Sequence, residues 1–328
     1  MCLLSIIIPI YNKEKFLQDC LSSILDNTFK DFEIICINDG STDNSLSIVN
    51  MFKEKDHRIK VYSQLNKGPA SARNLGIAHS DSDYIMFVDA DDYIESNTIE
   101  SCVPYLEDND LIIFGIKVFG DSFKEKRKTD DEYYKLKIND KLRINDSFIL
   151  NTDVSLCNKI FKKSIIKKNN IKFLNGYIYE DANFFFKYIS CITNVFFINK
   201  LLYNYRRHSD SIMANTFRGE KKAIHHIIIF KDIYRFWKNN GFFESHTNVF
   251  ITLLKNGFEF AFNFSPRAFK IPVILKTYEI VYSIYKENQN NPNIVLNPFL
   301  IRILNRKYIT CCRIYNILSR VLNRTFKI

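Results

Sequence analysis

Residues 84–92 read Tyr84-Ile85-Met86-Phe87-Val88-Asp89-Ala90-Asp91-Asp92, an apolar run that ends abruptly in carboxylates. The run does not alternate between apolar and polar residues. It therefore predicts a strand covered on both faces, as in a parallel sheet between helices. The same shape recurs upstream at Leu3–Ile8, Phe32–Ile37 and Ile59–Ser63, and downstream at Asp110–Ile116. Helix-like segments separate these runs at Glu14–Asn27, Asp43–Lys55, Pro69–Ala78 and Ser96–Glu107. Thr42 or Asp43 and Ser96 offer N-caps, and Pro69 suits a first helical turn. The alternation predicts an α/β fold on an open, mostly parallel sheet flanked by helices. Ligands of such sheets bind beyond the carboxyl ends of the strands. That rule singles out Pro9–Asn12, Asn38–Asp43, Asn66–Arg73 and Asp89–Asp92.

A chain of 328 residues suits two domains, or one large domain with an appendage. With 46% hydrophobic and 25% charged residues, only 9 Gly and only 7 Pro, it reads as globular rather than disordered or fibrous. No apolar run approaches the roughly 18 residues of a spanning helix, and Leu3–Ile10 lacks the basic flank of a signal peptide, so a cytoplasmic location is expected. The eight cysteines show no CxxC pair, which points to buried or idle thiols. Charge is unevenly placed: residues 1–218 hold 29 Lys+Arg against 30 Asp+Glu, and residues 219–328 hold 17 against 6. The asymmetry points to an anionic surface, nucleic acid or membrane, met by the last third alone. Residues 117–150, with Lys124–Lys128 before Asp130-Asp131-Glu132, read as a solvated loop or edge hairpin, and the chain from about 219 onward reads as helical.

Carboxylates crowded at a strand end repel one another unless a cation offsets them, and a hard divalent ion with oxygen ligands does so. Asp89, Asp91 and Asp92 therefore read as a metal site, although Asp92 alone would suffice to cap the next helix. Asp39, just after the second strand, stands where an acid can accept from a ribose hydroxyl or a base N–H. A dinucleotide site would need a glycine-rich first turn, and Pro9-Ile10-Tyr11-Asn12-Lys13 has no glycine, which excludes a redox cofactor of that kind. Tyr11 offers a face for a base to stack on, or is plain packing. Lys67, Arg73 and a helix N-terminus lie near the same sheet edge and suit a phosphate, yet Arg73 can equally pair with Asp89 or Asp91.

Pro9–Asn12, Asn38–Asp43, Asn66–Gly76 and Phe87–Tyr93 resemble, in order and spacing, the nucleotide-sugar half of family-2 glycosyltransferases with a GT-A fold. The resemblance continues through Asn158–Phe161, Tyr179–Ala182 and Tyr205–Ile212, and so covers about residues 1–215. It implies an open mixed sheet in a GT-A-like domain at 1–218, with a donor half at 1–116 and an acceptor half at 150–218. A basic, mainly helical region would follow at 219–328. The implied reaction is inverting transfer of a single sugar from a UDP-hexose or UDP-N-acetylhexosamine to a glycan, such as a lipid-linked oligosaccharide, lipopolysaccharide or capsule precursor. Another nucleotide sugar is the alternative donor.

Through that resemblance Pro9, Tyr11, Asn12, Asp39, Lys67, Arg73, Asp89, Ala90, Arg206 and Arg207 look like donor-binding positions, with Tyr11 and Asp39 on the nucleoside. Asp89 and Asp91 look like the DxD pair, and Asp91, Asp89 and His208 look like ligands of Mn²⁺ or Mg²⁺, with Asp91 the better placed of the two acids. Glu180 and Asp181 look like the catalytic acid pair, Asp181 taking the acceptor hydroxyl's proton; without the resemblance they read as an acidic helix start. Two departures from the family's pattern, Cys157 before Asn158-Lys159 and Asn183 after Asp181-Ala182, bear on acceptor choice. Processive relatives carry a QxxRW motif and spanning helices; the sole tryptophan, Trp237, lies outside such a motif, so single addition is implied. His225-His226 has no partner pattern and reads as a helix surface pair.

On a helical wheel Arg302, Arg306, Arg313, Arg320, Arg324 and Lys327 fall within about 60°, opposite an apolar face. Such a stripe suits an anionic membrane surface, placing the protein peripherally on the inner face of the cytoplasmic membrane; an ordinary packed helix with a solvated face accounts for it equally. A nucleic-acid-binding protein would explain the basic tail but not the acidic strand end, so no nucleic-acid partner is expected.

Overall fold

The computed structural model describes residues 2–120, 139–208, 224–266 and 270–305. It divides into two compact units, residues 1–176 with 180–211, and residues 177–179 with 212–328. The fold is α/β, an open mixed sheet flanked by helices, and the C-terminal unit is helical.

The first unit runs β1 (Leu4–Ile10), α1 (Leu17–Leu25), β2 (Phe32–Asp39), α2 (Ser45–Lys55), β3 (Ile59–Gln64), α3 (Pro69–His79), β4 (Tyr84–Phe87), β5 (Tyr93–Ile94), α4 (Thr98–Cys102), β6 (Leu111–Phe119), β7 (Asp140–Arg143), α5 (Asp146–Asn151), β8 (Lys159–Lys162), α6 (Lys163–Lys168), α7 (Glu180–Ile189) and β9 (Asn194–Arg206). The strand order is β3-β2-β1-β4-β8-β6-β9-β5, with β7 also on β9. β1, β2, β3 and β4 are mutually parallel, and β1, β2 and β4 are almost wholly buried, as their apolar runs lead one to expect, while β3 at the sheet edge is half-buried. Ile6, Ile8 and Ile10 of β1 pack with Leu17, Cys20, Leu21 and Ile24 of α1 on one face. On the other face Ile7 meets Gly76 of α3, where a Cβ would collide with the Ile7 side chain. Glycine there brings helix and strand into close contact.

Several expectations are corrected. β8, a strand that the apolar runs do not announce, lies between β4 and β6, antiparallel to both. Helix 96–107 is shorter, ending at Cys102 and passing into a 3₁₀ turn, Val103–Tyr105, that contains Pro104. Ser96 does not cap it and neither Thr42 nor Asp43 is the N-cap of α2; Asn97 and Asn44 precede those helices, and the Asp43 carboxylate instead accepts from Glu14 N and Ser45 N. The thiols of Cys20, Cys36, Cys102 and Cys157 are free and buried. Residues 124–132 lie outside the described residues.

The second unit contains α8 (His225–Asn239), α9 (Phe242–Ser245), α10 (Thr247–Phe264), α11 (Lys270–Glu287), α12 (Pro292–Val295) and α13 (Pro298–Leu304). Its core is aromatic: Phe250 meets Phe230, Trp237 and Phe243 edge-on at ring separations of 5.9, 5.6 and 5.4 Å. His225 and His226 are not a surface pair. Ile178 N donates to His225 Nδ1 at 3.1 Å, and the His226 ring lies 3.3 Å from that of Tyr179. Burial, with His225 beside it, pushes the His226 pKa down to about 3.

Of the basic stripe, Arg302 lies in α13, which ends at Leu304 with Asn305 extended. Arg306, Arg313, Arg320, Arg324 and Lys327 lie outside the described residues. No described helix is long and apolar enough to cross a membrane.

Candidate active site

The loops after β1 and β2 hold each other. Asn12, in the left-handed region at φ 52°, accepts from Thr42 N through Oδ1 at 2.8 Å and donates its own N–H to Ser41 Oγ. Lys13 N donates to Ser45 Oγ at 2.8 Å. Pro9 lies within β1 opposite Ile37, and Tyr11 stands 45% exposed beyond the strand end.

Asp39 is buried at the end of β2. Its Oδ1 accepts from Gln64 Nε2 at 2.7 Å and Lys67 N at 2.8 Å, and Oδ2 accepts from Gly68 N at 2.8 Å. Asp39 thereby fixes the turn that leads into α3 from its two amides, Lys67 N and Gly68 N. The Lys67 side chain is exposed.

Arg73, from α3, is paired with two carboxylates. Its guanidinium donates to Asp89 Oδ1 at 3.0 Å and to Glu180 Oε1 at 2.8 Å. The pairing alternative holds, and one cation joins the acidic strand end to the start of α7. Asp181 follows Glu180. Burial, reinforced by the Glu180 charge, raises its pKa to about 7, while Ala182 N donates to its Oδ1 at 2.7 Å. A carboxylate with that pKa sits near the optimum for a general base at neutral pH.

The loop after β4 is built around Asp92, which is buried and caps no helix. It accepts from Tyr203 OH and Arg206 N, both at 2.7 Å. Burial and the charges of Asp89 and Asp91 raise its pKa to about 8. Ala90 turns its methyl into the core. Arg206 donates to the Asp91 carbonyl at 3.0 Å and the Asp19 carboxylate at 2.9 Å, with Phe16 and Phe119 rings about its guanidinium. It fastens this loop. Arg207 N donates to Phe119 O at 2.8 Å.

Asp91 Oδ2 meets His208 Nε2 at 3.0 Å and Lys13 Nζ at 2.5 Å. Burial alone would raise the Asp91 pKa, but Lys13 and His208 hold it below the usual carboxylate range. Neighbouring ligands of an octahedral ion bound at about 2.1 Å stand about 3 Å apart, so Asp91 and His208 fit one hard divalent ion. His208 Nδ1 is buried without a hydrogen-bond partner among the described residues. No group of three His, Cys, Asp or Glu side chains converges as a metal cage among the described residues. An ion held by two side chains would draw its other ligands from water and phosphate oxygens.

The sequence reading missed Lys13, Tyr203 and the buried Lys159. Lys159 Nζ donates to Ser155 O at 2.6 Å and Asn158 Oδ1 at 2.8 Å beneath the Phe185 ring, and burial lowers its pKa. Asn183 is wholly buried, which removes it from an acceptor surface.

A family model described as Glycosyl transferase family 2 matches residues 5–169. Glycosyltransferase GlyG of Streptococcus pneumoniae is 34% identical over 230 residues, 66% of this chain and 74% of GlyG. Among solved structures, residues 1–349 of S. aureus TarS in complex with UDP-GlcNAc align with a TM-score of 0.70 at 21% identity, covering 85% of this chain and 80% of that one. Mannosyltransferase PcManGT of Pyrobaculum calidifontis, in complex with GDP-Man and Mn²⁺, aligns with a TM-score of 0.56 at 15% identity, covering 100% of this chain and 88% of that one. At such identities the structural matches speak for the fold.

Proposed function

The chain belongs to glycosyl transferase family 2 and is a glycosyltransferase, and from that premise we propose that it moves one sugar from a UDP-hexose or UDP-N-acetylhexosamine to a glycan acceptor, inverting the anomeric carbon. The observation that carries this reading is the Arg73 bridge, which brings Asp89 and Glu180 onto one guanidinium. The donor's leaving group and the acceptor's base then belong to one site. Asp181 takes the proton from the attacking hydroxyl, and its raised pKa suits that task. Glu180 stays ion-paired and fixes the first turn of α7. Tyr11 stacks on the base, and Asp39 supports the nucleoside through the loop it holds.

Asp91 and His208, with Asp89 alongside, would hold Mn²⁺ or Mg²⁺, which offsets the charge that develops on the departing diphosphate. UDP-GlcNAc in the TarS complex and Mn²⁺ in the PcManGT complex support the donor class and the metal. Residues 1–116 serve the donor, 150–218 the acceptor, and the basic region 219–328 an anionic membrane surface. There the acceptor is lipid-linked and the protein sits on the cytoplasmic face.

Incubation of the purified protein with a panel of nucleotide sugars and an acceptor tests the proposal. Consumption of a UDP-sugar, and a β-linked product from an α-linked donor by NMR, are expected. An α-linked product overturns inversion, and turnover of GDP- or dTDP-sugars alone overturns the UDP assignment.

A further inference from the structure

Lys13 follows the loop that closes β1, and its backbone is held from several sides. Lys13 N donates to Ser45 Oγ, Lys13 O accepts from Phe16 N and Leu17 N, and the flanking Asn12 and Glu14 amides bond to Ser41 and Asp43. A side chain on so fixed a stem is aimed. It reaches the Asp91 carboxylate at 2.5 Å, with 18% of the lysine side chain and 16% of the aspartate exposed.

The same oxygen, Asp91 Oδ2, faces His208 Nε2 at 3.0 Å. It is therefore the oxygen that a divalent ion shared by Asp91 and His208 would need. Asp89, two residues before Asp91, is already paired with Arg73, so the largely buried Asp91 carboxylate needs a cation of its own whether or not an ion is bound. We propose that Lys13 is the resident cation of this site: its ammonium neutralises Asp91 while no ion is present, and it must release Oδ2 when a divalent ion enters. This rests on the metal assignment made under the proposed function.

A lysine suits the task. Its charge sits at the end of a flexible stem and can withdraw, whereas an arginine fork would grip both carboxylate oxygens. The cost of breaking the Lys13–Asp91 contact then weakens ion binding in the wild type.

Mn²⁺ binding to the full chain without donor, read from the electron paramagnetic resonance signal of free Mn²⁺, tests this. Lys13→Met keeps the stem and removes the charge, so the Mn²⁺ Kd should tighten by about tenfold or more. Lys13→Arg should bind no tighter than the wild type. Asp91→Asn should abolish the site. If Asp91→Asn loses Mn²⁺ while Lys13→Met binds no tighter, the Lys13 proposal is wrong and the metal assignment stands. If Asp91→Asn leaves Mn²⁺ binding unchanged, both fall. The unaltered chain gives a second measurement. Acetylation of Lys13 by an acyl ester, followed by mass spectrometry, should speed up severalfold when Mn²⁺ is added, and an unchanged rate overturns the proposal.

Discussion

Arg73 and Glu180 lie 107 residues apart in the chain, and their side chains meet at 2.8 Å. The same guanidinium holds Asp89 at 3.0 Å, so a residue one turn into α3 ties the end of β4 to the start of α7. The carboxylate that neighbours the proposed base is thereby held in an ion pair.

That bridge should matter for stability. The Arg73 and Glu180 side chains are only 10% and 12% exposed. Removing one partner of a buried pair leaves an uncompensated charge, which costs about 3–5 kcal/mol. Arg73→Met should lower the urea midpoint accordingly. Arg73→Lys should recover only part of the loss, since one ammonium does not span two carboxylates. An unchanged midpoint in Arg73→Met would mean that the bridge is incidental.

Asp181→Asn should slow transfer by about a hundredfold or more while nucleotide binding survives. Its stability has the opposite sign. The Asp181 pKa is about 7 in the folded chain against about 3.9 when unfolded. The neutral carboxyl fits its site, so its contribution is complete below about pH 4 and fades as pH rises towards 7. Asp181→Asn should therefore gain stability over the wild type across that window, reaching a plateau above it. Denaturation curves at pH 4, 6 and 8 check the trend, and a constant difference would remove the raised pKa.

Loss of the ion should be equally direct. EDTA should abolish transfer, Mn²⁺ or Mg²⁺ should restore it, and Asp91→Ala should be inactive while its thermal unfolding stays cooperative. Full activity in EDTA would leave Asp91 and His208 without a metal role.

The half of the fold nearest the N-terminus was legible because β1, β2 and β4 are buried on both faces, and such strands appear as unbroken apolar runs ending in polar loops. β8 was not legible. It is four residues long, carries Lys159 inside the core, and joins the sheet through pairings with β4 and β6 that no local pattern announces. The acids of the site were visible by type and place, whereas their partners were not. Lys13 meets Asp91 across 78 residues, and Tyr203 meets Asp92 across 111. His225-His226 looked like a surface pair because their companions, Ile178 and Tyr179, precede them by a long stretch of chain.

A truncation that tests the C-terminal stripe must spare α13. Leu300 and Ile303 of α13 are buried, so removing residues from 299 onward would open the core of the helical unit and confuse loss of folding with loss of membrane contact. Truncation after Asn305 spares them and removes Arg306, Arg313, Arg320, Arg324 and Lys327. Each basic residue near an anionic surface contributes about 1 kcal/mol. The shortened chain should therefore leave anionic vesicles in a flotation assay while keeping transfer to a soluble acceptor analogue. Salt should weaken vesicle binding of the full chain, because screening shortens the reach of its charges. Equal flotation of both chains would move the membrane contact, or its absence, away from residues 306–328.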